Sequence, residues 1–115
     1  MSTFTKEYLS GSVDGMGVVV SGNTTGTSVL LHTATAVAGQ RDEIWLFAYN
    51  DDSTTGILYI EWGGTTLTRL VQVDARQGLV PVIPGLCLGN GKTVRVYAQT
   101  ANKIILDGFV NRITN

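Results

Sequence analysis

Short apolar runs closed by turn residues set the rhythm of this chain. Runs rich in Val, Ile, Thr, Tyr and Trp cover residues 17–21, 27–34, 43–49, 57–62, 66–73, 79–83, 93–99 and 104–113. Between them lie Gly22-Asn23, Ala38-Gly39-Gln40, Asn50-Asp51-Asp52-Ser53, Gly63-Gly64, Arg76-Gln77-Gly78, Gly89-Asn90-Gly91 and Ala101-Asn102. β-branched and aromatic residues suit a pleated, half-buried surface, whereas Gly, Asn and Asp supply the backbone angles that reverse a chain. Long apolar segments at helical spacing are absent. The pattern predicts an all-β fold, an antiparallel β-sandwich of Ig-like or jelly-roll-like type with about eight short strands.

Two strands show their faces directly. In 93–99, Val94, Val96 and Ala98 alternate with Arg95, Tyr97 and Gln99, which describes one core face and one polar face. In 43–49, Trp45, Phe47 and Tyr49 alternate with Ile44, Leu46 and Ala48, so both faces are apolar. Such a strand is expected at the centre of a sheet, with its second face covered or meeting a partner. Gly63-Gly64 predicts a hairpin between 57–62 and 66–73, and Asn90-Gly91 a tight turn before Thr93. Pro81 and Pro84 cannot donate ladder hydrogen bonds, which puts their segment on a sheet edge or a connection. Residues 1–15 lack clear alternation and are read as a polar arm ahead of a single domain over 16–115. Phe4 and Tyr8 are the arm's large anchors, expected to sit on a receiving surface rather than in the core.

A length of 115 residues fits one domain. With 43% hydrophobic and 15% charged residues, the chain is not intrinsically disordered. The formal net charge of -1, with Arg69, Arg76, Lys92, Arg95, Lys103 and Arg112 interleaved with acids, argues against nucleic-acid binding. No run approaches the roughly 20 apolar residues that span a bilayer, and the first ten residues lack the apolar segment of a secretory signal. The expectation is a protein made in the cytoplasm, with no membrane partner, that leaves the cell only within a larger assembly.

Candidate chemistry is sparse, and no catalytic, cofactor-binding or metal-binding residue is assigned. The single cysteine excludes an intramolecular disulfide, and the single histidine excludes multi-histidine metal sites. His32 shares a run with Leu30 and Leu31 and has no sequence-evident nucleophile, so it reads as a structural or surface residue. Cys87, between Leu86 and Leu88, reads as a small buried hydrophobe. Asp51-Asp52 belongs to a turn whose side-chain oxygens bond local backbone, without the ligand spacing of a calcium loop. Gly15-Met16-Gly17 and Gly89-Asn90-Gly91-Lys92 precede strand-like residues, not the helix that a phosphate loop requires. Asn23-Thr24-Thr25, formally a glycosylation acceptor, reads as a turn. Trp45 and Trp62 are expected either to fill the core or, for one of them, to meet a subunit interface, where aromatics are enriched.

From Glu43 onward the chain resembles small β-sandwich virion proteins of tailed bacteriophages, of the capsid decoration or cement class. The segments that carry the resemblance are Glu43-Ile44-Trp45-Leu46-Phe47-Ala48, Ile60-Glu61-Trp62-Gly63-Gly64, Val80-Pro81-Val82-Ile83-Pro84-Gly85-Leu86 and Gly108-Phe109-Val110-Asn111-Arg112-Ile113. It implies a non-enzymatic structural protein on the virion surface that binds the phage major capsid protein in many copies, commonly as a homotrimer. Phe4, Tyr8, Trp45, Tyr49 and Trp62 are then the interface candidates. A head–tail connector or tail protein is the neighbouring reading. A carbohydrate-binding sandwich with Trp62 or Tyr59 as a stacking platform is the reading from another class.

Overall fold

The computed structural model describes residues 3–115. Their strands are β1 (Thr3–Tyr8), β2 (Val18–Val19), β3 (Val29–Thr33), β4 (Gln40–Asn50), β5 (Gly56–Trp62), β6 (Thr68–Val73), β7 (Val80–Leu88), β8 (Thr93–Ala98) and β9 (Ile104–Thr114). Two single 3-10 turns, Thr25–Thr27 and Thr65–Leu67, are the helical content among the described residues. One sheet has the order β1-β9-β4-β7, with β2 also paired to β9; the other has the order β3-β8-β5-β6. All strand pairings are antiparallel. Apart from β1 to β2 and β5 to β6, every connection carries the chain from one sheet to the other. That interleaving is the jelly-roll form of the sandwich.

Side-chain alternation builds the core. Ile44, Leu46 and Ala48 of β4, with Ile104, Leu106 and Val110 of β9, form the inner layer of the first sheet. Leu58 and Ile60 of β5, with Val94, Val96 and Ala98 of β8, form the layer that meets it. Trp62 continues the β5 series and is 9% exposed. It is therefore a core residue, which corrects its candidacy as an interface residue. The reason is parity: Trp62 shares the inward phase of Leu58 and Ile60.

Turn chemistry explains how the chain changes sheets. Asn90 (φ 57°) and Gly91 (φ 69°) both occupy left-handed backbone, and the Lys92 amide donates to the Gly89 carbonyl at 3.1 Å. This is a type I′ turn, as Asn-Gly predicts. It joins β7 to β8 across the sandwich instead of closing a hairpin, because Val94, Val96 and Ala98 must face the layer that β4 and β9 present. Consecutive strands pair as a hairpin only at β5 and β6, over Gly56↔Val73 to Glu61↔Thr68, with Gly63-Gly64 in the connection. Pro81 and Pro84 lie on β7, an edge strand with two register shifts against β4.

The amino-terminal segment is more integrated than a free arm. β1 pairs with β9 from Thr3↔Thr114 to Tyr8↔Phe109, Leu9 is 2% exposed within the core, and the Gly11 amide donates to Leu31 at 2.8 Å. The expected boundary at residue 15 thus cuts through the first sheet. Its alternation is hidden because the apolar members, Phe4 and Tyr8, face outward rather than inward. Their exposures are 70% and 65%.

Stability should follow this division. Leu46→Ala removes a fully buried side chain and is expected to cost about 2–5 kcal/mol in chemical denaturation, whereas Phe4→Ala should leave the midpoint almost unchanged.

Candidate binding face

The β4–β9 register places outward residues in rows across the first sheet. Tyr8 faces Phe109, which faces Trp45, which faces Pro84. Alongside run Phe4 with Ile113 and Arg41, Asp107 with Phe47 and Pro81, and Val19 with Ile105 and Tyr49. Trp45 and Phe109 stack with centroids 6.1 Å apart and planes 11° from parallel. Of the interface candidates, Phe4, Tyr8, Trp45 and Tyr49 thus share one face, while Trp62 lies beneath it in the core.

A polar stripe crosses this aromatic surface. Lys6, Asn111, Glu43 and Cys87 are successive register partners. The Lys6 ammonium sits 4.6 Å from the Phe109 ring centroid, within cation–π range. Glu43 Oε1 accepts from Trp45 Nε1 at 2.8 Å and from Asn111 Nδ2 at 3.1 Å. Those two bonds, led by the one from Trp45, hold the Glu43 carboxyl below its ordinary range. Two hollows flank the stripe: one of about 440 Å³ lined by Lys6, Glu7, Tyr8, Gly15, Gly108 and Phe109, and one of about 200 Å³ lined by Thr3, Phe4, Glu43, Asn111 and Ile113. Cys87 is exposed, which corrects the expectation of a buried hydrophobe. It lies on an edge strand opposite the outward-facing Glu43, so the sandwich interior never reaches it.

The outer face of the second sheet differs. Its tyrosines, Tyr59 and Tyr97, stack on each other at 4.6 Å and 9°. The segment around Thr25–Thr27 folds over its other end. Thr25 Oγ1 donates to Glu61 Oε2 at 2.5 Å, and Arg95 donates to both the hydroxyl and the carbonyl of Ser28.

His32 is structural and buried, at 1% exposure. Its Nδ1 accepts from the Ser10 amide at 3.0 Å, which puts the ring proton on Nε2, facing Asp42 Oδ2 at 2.7 Å. Asp42 Oδ2 also accepts from the Thr35 amide, and Arg112 bonds both carboxylate oxygens. This cluster ties β3, β4, β9 and the segment after β1 into one unit. With both ring nitrogens occupied, His32 has no free site for proton transfer to a bound molecule. Burial alone would raise the Asp42 carboxyl; the bonds from Arg112, His32 and Thr35 outweigh it and hold the group below its ordinary value. Sequence reasoning did not connect these residues. The available signal was parity, since Asp42 precedes Ile44 and Arg112 follows Val110 on inward positions.

The turn at Asn50 is built as expected: Asn50 Oδ1 accepts from the Asp52 amide and Asp52 Oδ1 from the Ser53 amide. Asn50 also donates to the Thr54 and Val73 carbonyls, each at 2.9 Å. No group of three or more His, Cys, Asp or Glu side chains among the described residues is placed to hold a metal ion. No helix among them is long and apolar enough to cross a membrane. Comparison with family models, with curated proteins and with solved structures yields no match.

Asp42→Asn is expected to cost about 3 kcal/mol at neutral pH, because it leaves Arg112 and His32 without their anion. The lowered carboxyl sets the sign of the pH dependence. Its contribution is present above about pH 4, the ordinary carboxyl value in the unfolded chain, and is lost as pH falls through the native value. Denaturation curves should therefore show the wild type and Asp42→Asn converging in acid.

Proposed function

We propose that this protein is a non-enzymatic assembly component that docks on a preformed protein shell through the outer face of its five-stranded sheet. The role that fits is a decoration protein of a tailed-phage capsid, made in the host cytoplasm and carried on the virion. The observation that carries the reading is β4 itself: a central strand with Trp45, Phe47 and Tyr49 on the side away from the core. Phe109, Phe4 and Tyr8 extend that surface across the sheet. Aromatic side chains with polar handles are enriched where one protein surface meets another. Double-sheet jelly rolls occur in viral capsid and lectin domains, an analogy of fold that supports the reading.

The sugar-binding alternative has less support. Of the two platforms expected for stacking on a pyranose, Trp62 is in the core and Tyr59 gives one ring face to Tyr97.

The test is co-sedimentation with assembled, undecorated phage shells. Wild-type protein should pellet with the shells. Tyr8→Ser combined with Trp45→Ser should weaken attachment by about tenfold or more, in keeping with the loss of buried aromatic area, while the β-type circular dichroism persists. Failure of the wild type to pellet, together with retention on an insoluble polysaccharide that Tyr59→Ala abolishes, would replace this reading with the sugar-binding one.

A further inference from the structure

Asn90 is the one asparagine of the chain that is followed by glycine. In an Asn-Gly step the glycine nitrogen can attack the asparagine side-chain carbonyl, because no side chain on the second residue blocks the approach. Asn90 is exposed in the turn between β7 and β8, so water reaches it. The turn is nonetheless tied down. The Gly91 amide donates to the Thr35 carbonyl at 3.1 Å, and the Ala34 amide donates to the Lys92 carbonyl at 2.8 Å. Thr35 is 7% exposed and fixed in turn: its amide donates to Asp42 Oδ2, and its hydroxyl donates to Gln40 Oε1 and accepts from the Val37 amide. The nitrogen that would attack is therefore held as a donor against the connection between β3 and β4.

We propose that Asn90 is a site of spontaneous deamidation and that the hydrogen bond from Gly91 to Thr35 is the latch that sets its rate. When the latch opens, the Gly91 nitrogen loses its proton and bonds to Asn90 Cγ. The Cγ–Nδ2 bond breaks, the amide nitrogen takes up a proton and leaves as ammonia, and a succinimide ring remains. Water then opens the ring at either carbonyl, giving aspartate or isoaspartate; water is the sole co-reactant. While the latch is closed, the nitrogen keeps its proton and points it at Thr35, so attack waits on local opening. The isoaspartyl product carries one extra backbone carbon between residues 90 and 91. That carbon displaces Gly91 from Thr35 and disrupts the tight turn between Gly89 and Lys92, so the modified turn cannot latch again. This chemistry is independent of what the outer face of the first sheet binds.

Peptide mapping by mass spectrometry tests this on the full chain, aged at neutral pH either native or unfolded in guanidinium chloride. Hydrogen exchange of the Gly91 amide is followed on the native protein. In the unfolded chain Asn90 should deamidate faster than any other asparagine. In the native chain it should be slower by about fivefold or more, by the same factor that exchange gives for closure of the Gly91 amide. Native deamidation at the unfolded rate, or a freely exchanging Gly91 amide, overturns the latch; an unmodified Asn90 in the unfolded chain overturns the site. Thr35→Ala removes the hydroxyl bonds that fix the latch and should raise the native rate at Asn90. Ile44→Val, which weakens the core elsewhere, should leave that rate unchanged. An equal rise in both variants, or a rise in neither, would refute the latch.

Discussion

β4 and β9 pair from Gln40↔Thr114 to Asn50↔Ile104, and their side chains are assigned to core or surface by this single register. A slip of one residue would exchange Ile44, Leu46 and Ala48 for Trp45, Phe47 and Tyr49 on the inside. The inner layer would then be far too bulky to meet Leu58, Ile60, Val94 and Val96. Gly108 fixes the alignment further: a side chain there would collide with the Trp45 carbonyl, so the strands approach closely at that point. The same register sets Arg112 against Asp42, which allows the bidentate pair that closes one end of the sandwich.

That constraint also explains why the surface is aromatic. On β8 the outward phase is polar, as Arg95 and Tyr97 show. On β4 it carries three aromatics, supported by Phe109 stacking from β9 and by the Glu43 carboxylate bonding the indole of Trp45. Side chains packed in this way would lose little further rotamer freedom in the proposed docking, which lowers its entropic cost.

Much of the architecture was legible in the chain because alternation and turn chemistry are local. Asn90-Gly91, Gly63-Gly64 and the proline pair each marked its place correctly, and Trp45, Phe47 and Tyr49 announced a two-faced strand. Non-local features were hidden. β1 escaped notice because its aromatics face outward and its inward residues are Thr3, Thr5 and Glu7. Parity marks Asp42 and Arg112 as inward, but which inward residues meet, and that His32 joins them, depends on sheet order. Cys87 looked buried between two leucines, yet its position on an edge strand decided otherwise.

Trp62 belongs to the core and Trp45 to the outer face proposed for docking, and fluorescence quenching separates them. In a Trp62→Phe variant the remaining indole reports on the outer face alone. Titrating acrylamide with and without undecorated shells should show Trp45 losing accessibility when the protein is attached. Unchanged quenching of Trp45 in protein that pellets with the shell would contradict the account, because attachment would then use another face.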